Sequence, residues 1–165
     1  MTANANPRSL EFRRLTSEWR KGIEEFCSAL ERAGDTRFFR PHPFTADEFD
    51  CLVGYAGKDL YYVAVEGPSV LGYGLLRGWD EGYAIPSLGI AIDPKSRGYG
   101  LGVSFMEFLH AAAVRRGAQR MRLKVNTDNS KAIDLYKRLG YSFDTTEGPY
   151  YVGYKQLRRG LARNG

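Results

Sequence analysis

From Ile90 to Gly102 the chain reads Ile-Ala-Ile-Asp-Pro-Lys-Ser-Arg-Gly-Tyr-Gly-Leu-Gly. An apolar run passes into a loop, and a helical pattern follows at once. Glycines at 98, 100 and 102 let the main chain approach a bulky anion and turn successive N–H groups toward it. The helix that follows adds its unpaired N–H groups and the positive end of its dipole. Lys95 and Arg97 add charge. The chemistry this arrangement suits is diphosphate binding. The segment lacks the Gly-Lys-Ser/Thr of a nucleoside-triphosphate loop, and its glycines do not have GxGxxG spacing. The same glycines also suit a tight strand-to-helix turn with no ligand at all.

A second segment runs from Val125 to Tyr141. Ala132, Leu135 and Leu139 form one helical face, with Tyr136 at its edge. On its own, Tyr136 reads as a half-buried core aromatic. Cys27 and Cys51 read as small apolar fillers, and His110 as an exposed or structural helix residue. The two cysteines and two histidines contain no CxxC or HxxxH pair, so no metal site is expected.

These segments need elements to position them. Residues 10–15 form a short strand candidate. A helix is expected over about 18–33, where Trp19, Ile23, Phe26 and Leu30 share a face and Gly34 ends it. The prolines of Phe38–Phe44 make that stretch irregular, and Thr45 caps a short helix over 47–54. Strands follow at 60–66, 70–79 and 86–93. A long helix spans 100–116, a strand 121–126, a helix 130–139, and strands 141–145 and 150–157. This order implies an α+β fold with a mostly antiparallel sheet.

Together the two segments resemble the GNAT superfamily of acyl-CoA N-acyltransferases. Arg97-Gly98-Tyr99-Gly100-Leu101-Gly102 is similar to its Arg/Gln-x-x-Gly-x-Gly/Ala signature. Asn129 to Tyr141 is similar to its Asn-x-x-Ala-x-x-Leu-Tyr-x-x-x-Gly-aromatic segment. The resemblance implies a three-layer α/β/α domain over 10–157. Its central sheet has six or seven strands, mixed but mostly antiparallel, and is splayed where 88–93 and 121–126 part. It implies acetyl-CoA as co-substrate, with main-chain groups of Ile90 and Ile92 beside the pantetheine arm. The amides of Arg97, Gly98, Tyr99, Gly100, Leu101 and Gly102 would hold the diphosphate, and Asn129 would bond the arm. Tyr136 would stand by the thioester sulfur and protonate the leaving thiolate, a role suited to a phenol of pKa near 10.

Many members carry a glutamate early in the strand before the loop, but Ile85-Pro86-Ser87-Leu88 has none. His42, in the Phe38–Phe44 connection that borders the acceptor pocket in this family, is the alternative base. It also reads as a loop histidine packed by prolines and phenylalanines.

The chain has 165 residues, 43% apolar and 26% charged, with 24 Lys and Arg against 19 Asp and Glu, a net charge of +5. Its pI is about 9.2. That size suits one domain, and the charge favours anionic partners. No apolar run approaches the roughly 18 residues of a membrane span. The N-terminus lacks a signal-peptide pattern, so a cytoplasmic protein without membrane contact is expected. The basic residues are scattered and carry no nucleic-acid motif, which argues against that partner. Residues 1–9 read as a disordered lead and 158–165 as a basic tail. Arg40, His42, Arg77, Trp79 and Tyr83 are the expected acceptor wall. They suit a small anionic amine, with a nucleotide-linked amino sugar foremost. The aromatics among them also read as ordinary core. A protein N-terminus or lysine is the alternative acceptor, and a non-catalytic acyl-CoA-binding module the alternative function. A monomer or homodimer is expected.

Overall fold

A computed structural model describes residues 8–157. The expected lead, apart from Arg8 and Ser9, and the whole basic tail lie outside the described residues. Seven strands form one sheet: β1 (Leu10–Arg14), β2 (Leu60–Glu66), β3 (Ser69–Arg77), β4 (Ser87–Ile92), β5 (Arg120–Asn126), β6 (Ser142–Glu147) and β7 (Tyr150–Gln156). Four α-helices accompany them: α1 (Arg20–Arg32), α2 (Ala46–Val53), α3 (Leu101–Arg115) and α4 (Ser130–Arg138). The spatial order is β1-β2-β3-β4-β5-β7-β6. All neighbours are antiparallel except β4 and β5.

Helix α1 forms because Ile23, Phe26 and Leu30 recur at helical spacing, and all three are buried. Trp19 belongs to the same face, but Ser17–Trp19 is a 3-10 turn, and the side chain of Thr16 makes no cap bond. Gly34 ends the helix with φ +75°. The Thr45 hydroxyl accepts from the Glu48 N–H at 3.3 Å and opens α2.

Two cores flank the sheet. One packs Leu76, Leu88, Met121 and Leu123 of the sheet against Phe105, Met106 and Leu109 of α3 and Ile133 and Tyr136 of α4. The other packs Val63, Val65, Tyr73 and Leu75 against α1, α2 and Trp19. The architecture is therefore three-layered, as the sequence implied. Cys27 is a buried filler of the second core, and burial pushes its thiol up to about 12. Cys51 is exposed, contrary to expectation, because on α2 it falls between the buried positions Phe49 and Leu52.

Glycines in β3 set how close α3 lies to the sheet. A Cβ at Gly74 would stand 2.8 Å from both Leu109 Cδ1 and Phe105 Cζ. Gly74→Ala forces those fully buried side chains apart. It should cost about 1–3 kcal/mol of stability, read as a lower urea midpoint at unchanged slope.

Candidate active site

The site begins where the sheet opens. Strands β4 and β5 pair only at Ser87↔Arg122 and Leu88↔Leu123. The Asp93 N–H reaches Leu71 O in β3 at 2.8 Å, whereas Pro86 O accepts from Arg122 N in β5 at 3.0 Å. Main-chain direction alternates along a strand, so Ile90 and Ile92 turn their N–H and C=O groups toward the gap beyond Leu88. Their side chains pack on the α3 face. The gap is the splay expected from the sequence.

The glycine loop closes one end of this gap. Asp93 accepts from the Lys95 N–H at 3.2 Å and the Ser96 hydroxyl at 3.3 Å, which fixes the turn that leaves β4. Gly98 and Gly100 have φ of +87° and +80°, conformations that require glycine. Gly102 does not. A Cβ there would meet Leu135 and Ile92 only at 3.8 Å and 3.9 Å, so alanine fits. The Tyr99 side chain is 85% exposed. Leu101 is the first residue of α3. The Arg97 guanidinium braces the loop: it donates to Ile92 O at 2.9 Å and to Asp35 Oδ2 at 2.7 Å. Ile92 O is thus engaged by the protein, and the Arg97 charge is shared with a carboxylate that the sequence reading did not single out. A groove of about 1140 Å³ borders the loop on its β1 side, lined by Lys95, Tyr99, Trp19 and Leu71, away from the gap.

After β5, Asn129 caps α4, its Oδ1 accepting from the Ala132 N–H at 3.4 Å. Tyr136 is 9% exposed, more buried than the sequence reading held, because Tyr141 covers its ring at 5.9 Å. Burial alone pushes its phenol up to about 12, so it stays protonated at neutral pH. His110 is buried, and its Nε2 bonds the Tyr141 hydroxyl at 2.7 Å. Of its two expected settings, the structural one is observed.

The proposed acceptor residues divide. His42 lies on the α1–α2 face, opposite Tyr136, with its ring against Phe44, Phe49 and Tyr73. Its Nδ1 faces Pro43 O at 2.8 Å and its Nε2 faces the Tyr73 hydroxyl at 2.9 Å. A carbonyl only accepts, so Nδ1 carries the proton and Nε2 accepts from Tyr73. Both nitrogens are therefore engaged, and Tyr73, fully buried between two β3 glycines, is the partner that sequence reasoning missed. Arg77 donates to Pro41 O at 2.9 Å and pins the same connection, while Arg40 is exposed. Trp79 does not join this wall: it packs on the α3 core, with the Arg116 guanidinium 5.6 Å from its ring centroid. Tyr83 is 62% exposed. Asp59 causes the separation. Its buried Oδ1 accepts from the N–H groups of Gly78 at 3.0 Å, Trp79 at 2.9 Å and Asp80 at 3.3 Å, turning the chain as it leaves β3.

The family model described as Acetyltransferase (GNAT) family matches residues 16–141. The chain belongs to this family. Among similar GNAT folds is the PaiA N-acetyltransferase of Thermoplasma acidophilum in complex with coenzyme A, with TM-score 0.74, 16% identity, and 90% of this chain and 99% of that one covered. A GNAT-family acetyltransferase of Streptococcus pneumoniae gives TM-score 0.75 at 18% identity, covering 91% and 100%. By sequence, the thialysine N-epsilon-acetyltransferase of Bos taurus is 37% identical over 86 residues, 50% of this chain and 49% of that protein. The Sus scrofa protein of the same name is 36% identical over 94 residues, 54% of each. The chain thus spans about half the length of the curated relatives it matches. No helix is long and apolar enough to cross a membrane, and no metal-binding cluster occurs, among the described residues.

Burial holds the His42 pKa below the usual histidine value, with the bond to Pro43 opposing it only in part. The unfolded chain therefore binds a proton here first, near pH 6.5, and stability is lost as pH falls below that point. His42→Asn should make the fall in Tm between pH 7 and 5 shallower. With both ring nitrogens engaged, the acidic limb of kcat/KM should not move; a limb that moves with the substitution would make His42 the base.

Proposed function

We propose that the chain is an N-acetyltransferase that moves an acetyl or short acyl group from acyl-CoA to a primary amine by direct attack. The observation that carries this reading is the gap between β4 and β5 with the glycine loop at one end; in this reading Tyr136, on the helix that follows β5, is the acid. The amides from Arg97 to Gly102 hold the diphosphate. The Ile90 main chain lies along the pantetheine arm, and its N–H supports the carbonyl oxygen as charge gathers there. Asn129 stays at the head of α4 and lends the arm a polar contact. The neutral amine nitrogen bonds to the carbonyl carbon, the carbon–sulfur bond breaks, and the thiolate takes the Tyr136 proton. The stretch Ile85-Pro86-Ser87-Leu88 carries no carboxylate and both His42 nitrogens are engaged, so in this reading water receives the amine's proton.

The acceptor in this reading is a small primary amine that carries an anionic group, met by Arg40 and Arg77 beside the His42 connection. A nucleotide-linked amino sugar is one such molecule. An amino acid is another: its carboxylate suits the same arginines, and the relatives' names specify one. With Trp79 packed on the α3 core, that residue gives the sugar nucleotide no advantage over the amino acid.

Tyr136→Phe keeps the ring and removes the proton. Turnover should fall roughly 10²-fold with acetyl-CoA affinity unchanged by calorimetry. Wild-type turnover would return Tyr136 to a core role, and binding without turnover in the wild type would leave only an acyl-CoA-binding module. A panel of nucleotide amino sugars, free amino sugars, amino acids, polyamines and lysine peptides identifies the acceptor class. The anionic amines should show the highest kcat/KM, reduced by salt, and faster polyamines or peptides would reject this class.

A further inference from the structure

We propose that Tyr141 and His110 form a positioning pair that holds Tyr136 in place for proton donation. The inference rests on the reading of Tyr136 as the acid. Helix α4 ends in a tight two-bond closure. Gly140, with φ +97°, donates to Lys137 O at 3.1 Å, and Tyr141 donates from its main chain to Tyr136 O at 3.0 Å. Lys155 Nζ takes the Leu139 carbonyl at 2.5 Å. The closure lays the Tyr141 ring against that of Tyr136, at a centroid distance of 5.9 Å. The position of Tyr136 in the last turn is thus set through Tyr141.

Tyr141 in turn hangs from α3, through the 2.7 Å bond between its hydroxyl and His110 Nε2. Helix α3 is the one that begins at the glycine loop. Burial and the neighbouring Lys155 charge hold the His110 pKa down to about 4, so the ring is neutral at pH 7. Its Nδ1 is buried without a partner. A buried N–H is rarely left orphaned, a bare acceptor less rarely. The proton is therefore assigned to Nε2, which donates to the Tyr141 oxygen. Two apolar side chains would fill the same space without burying polar groups. What the polar pair adds is direction: a hydrogen bond fixes where the Tyr141 ring lies, and hence where the Tyr136 ring stops.

The test is a double-mutant cycle on the full chain, reading kcat, KM for acetyl-CoA and Tm. Tyr141→Phe keeps the helix closure and the ring and removes only the bond to His110. It should lower kcat about 5- to 10-fold with KM for acetyl-CoA within about twofold, and it should leave kcat unchanged in a Tyr136→Phe background, where no proton remains to be placed. His110→Gln retains a neutral donor and should keep kcat within about twofold. His110→Leu should match Tyr141→Phe, and it decides the question if that variant fails to fold. Wild-type kcat in Tyr141→Phe, or equal losses in both Tyr136 backgrounds, would overturn the positioning pair alone. Wild-type turnover in Tyr136→Phe would instead remove the acid role, and the pair with it.

Discussion

The parallel pairing of β4 with β5 stops after two residues, and most of the site follows from that. A sheet interrupted in its middle leaves main-chain donors and acceptors facing a gap, where a protein interior ordinarily pairs them. Something extended and rich in amides can take the place of the missing strand. Helix α3 lies tight on β3 through Gly72 and Gly74, and α4 follows β5 in the chain and packs in the same layer. The loop that bridges α3 and β4 is fixed by Asp93 and Arg97 at one end and by two left-handed glycines at the other.

The basic character of the chain has a more local use than a field for ligands. Arg20, Arg77, Arg97 and Arg116 each donate to a main-chain carbonyl: Ala46 at the start of α2, Pro41, Ile92 at the end of β4, and Lys58 in turn. The planar guanidinium suits this task because it satisfies several acceptors at once. Part of the +5 excess therefore holds connections in place. An argument from net charge to anionic partners overstates what remains for them.

Periodicity and turn residues made the elements legible in the sequence. Met121, Leu123 and Val125 alternate with polar residues in β5, and all three are buried. The glycine loop and the α4 segment were legible because their spacing carries backbone geometry. Gly140 followed by an aromatic is the helix closure itself, and Gly98 and Gly100 are φ requirements. Contacts between elements distant in sequence were not legible. Nothing local pairs His42 with Tyr73, Arg97 with Asp35, or His110 with Tyr141. Trp79 is expected on the acceptor wall as an aromatic that could face a ring. The strand ends at Arg77, and the bonds to Asp59 turn Trp79 to the opposite face.

That turn gives each face of the sheet its own tryptophan. Trp19 belongs to the core under α1 and α2, with the Arg13 guanidinium 5.9 Å from its ring centroid. Trp79 stands at the edge of the core under α3, beneath Arg116. The sequence contains only these 2 indoles, so the tryptophan emission of the chain, excited selectively over its tyrosines, is the sum of one reporter per layer. Replacing either by phenylalanine leaves a single-tryptophan protein in which the collapse of one layer can be timed without the other.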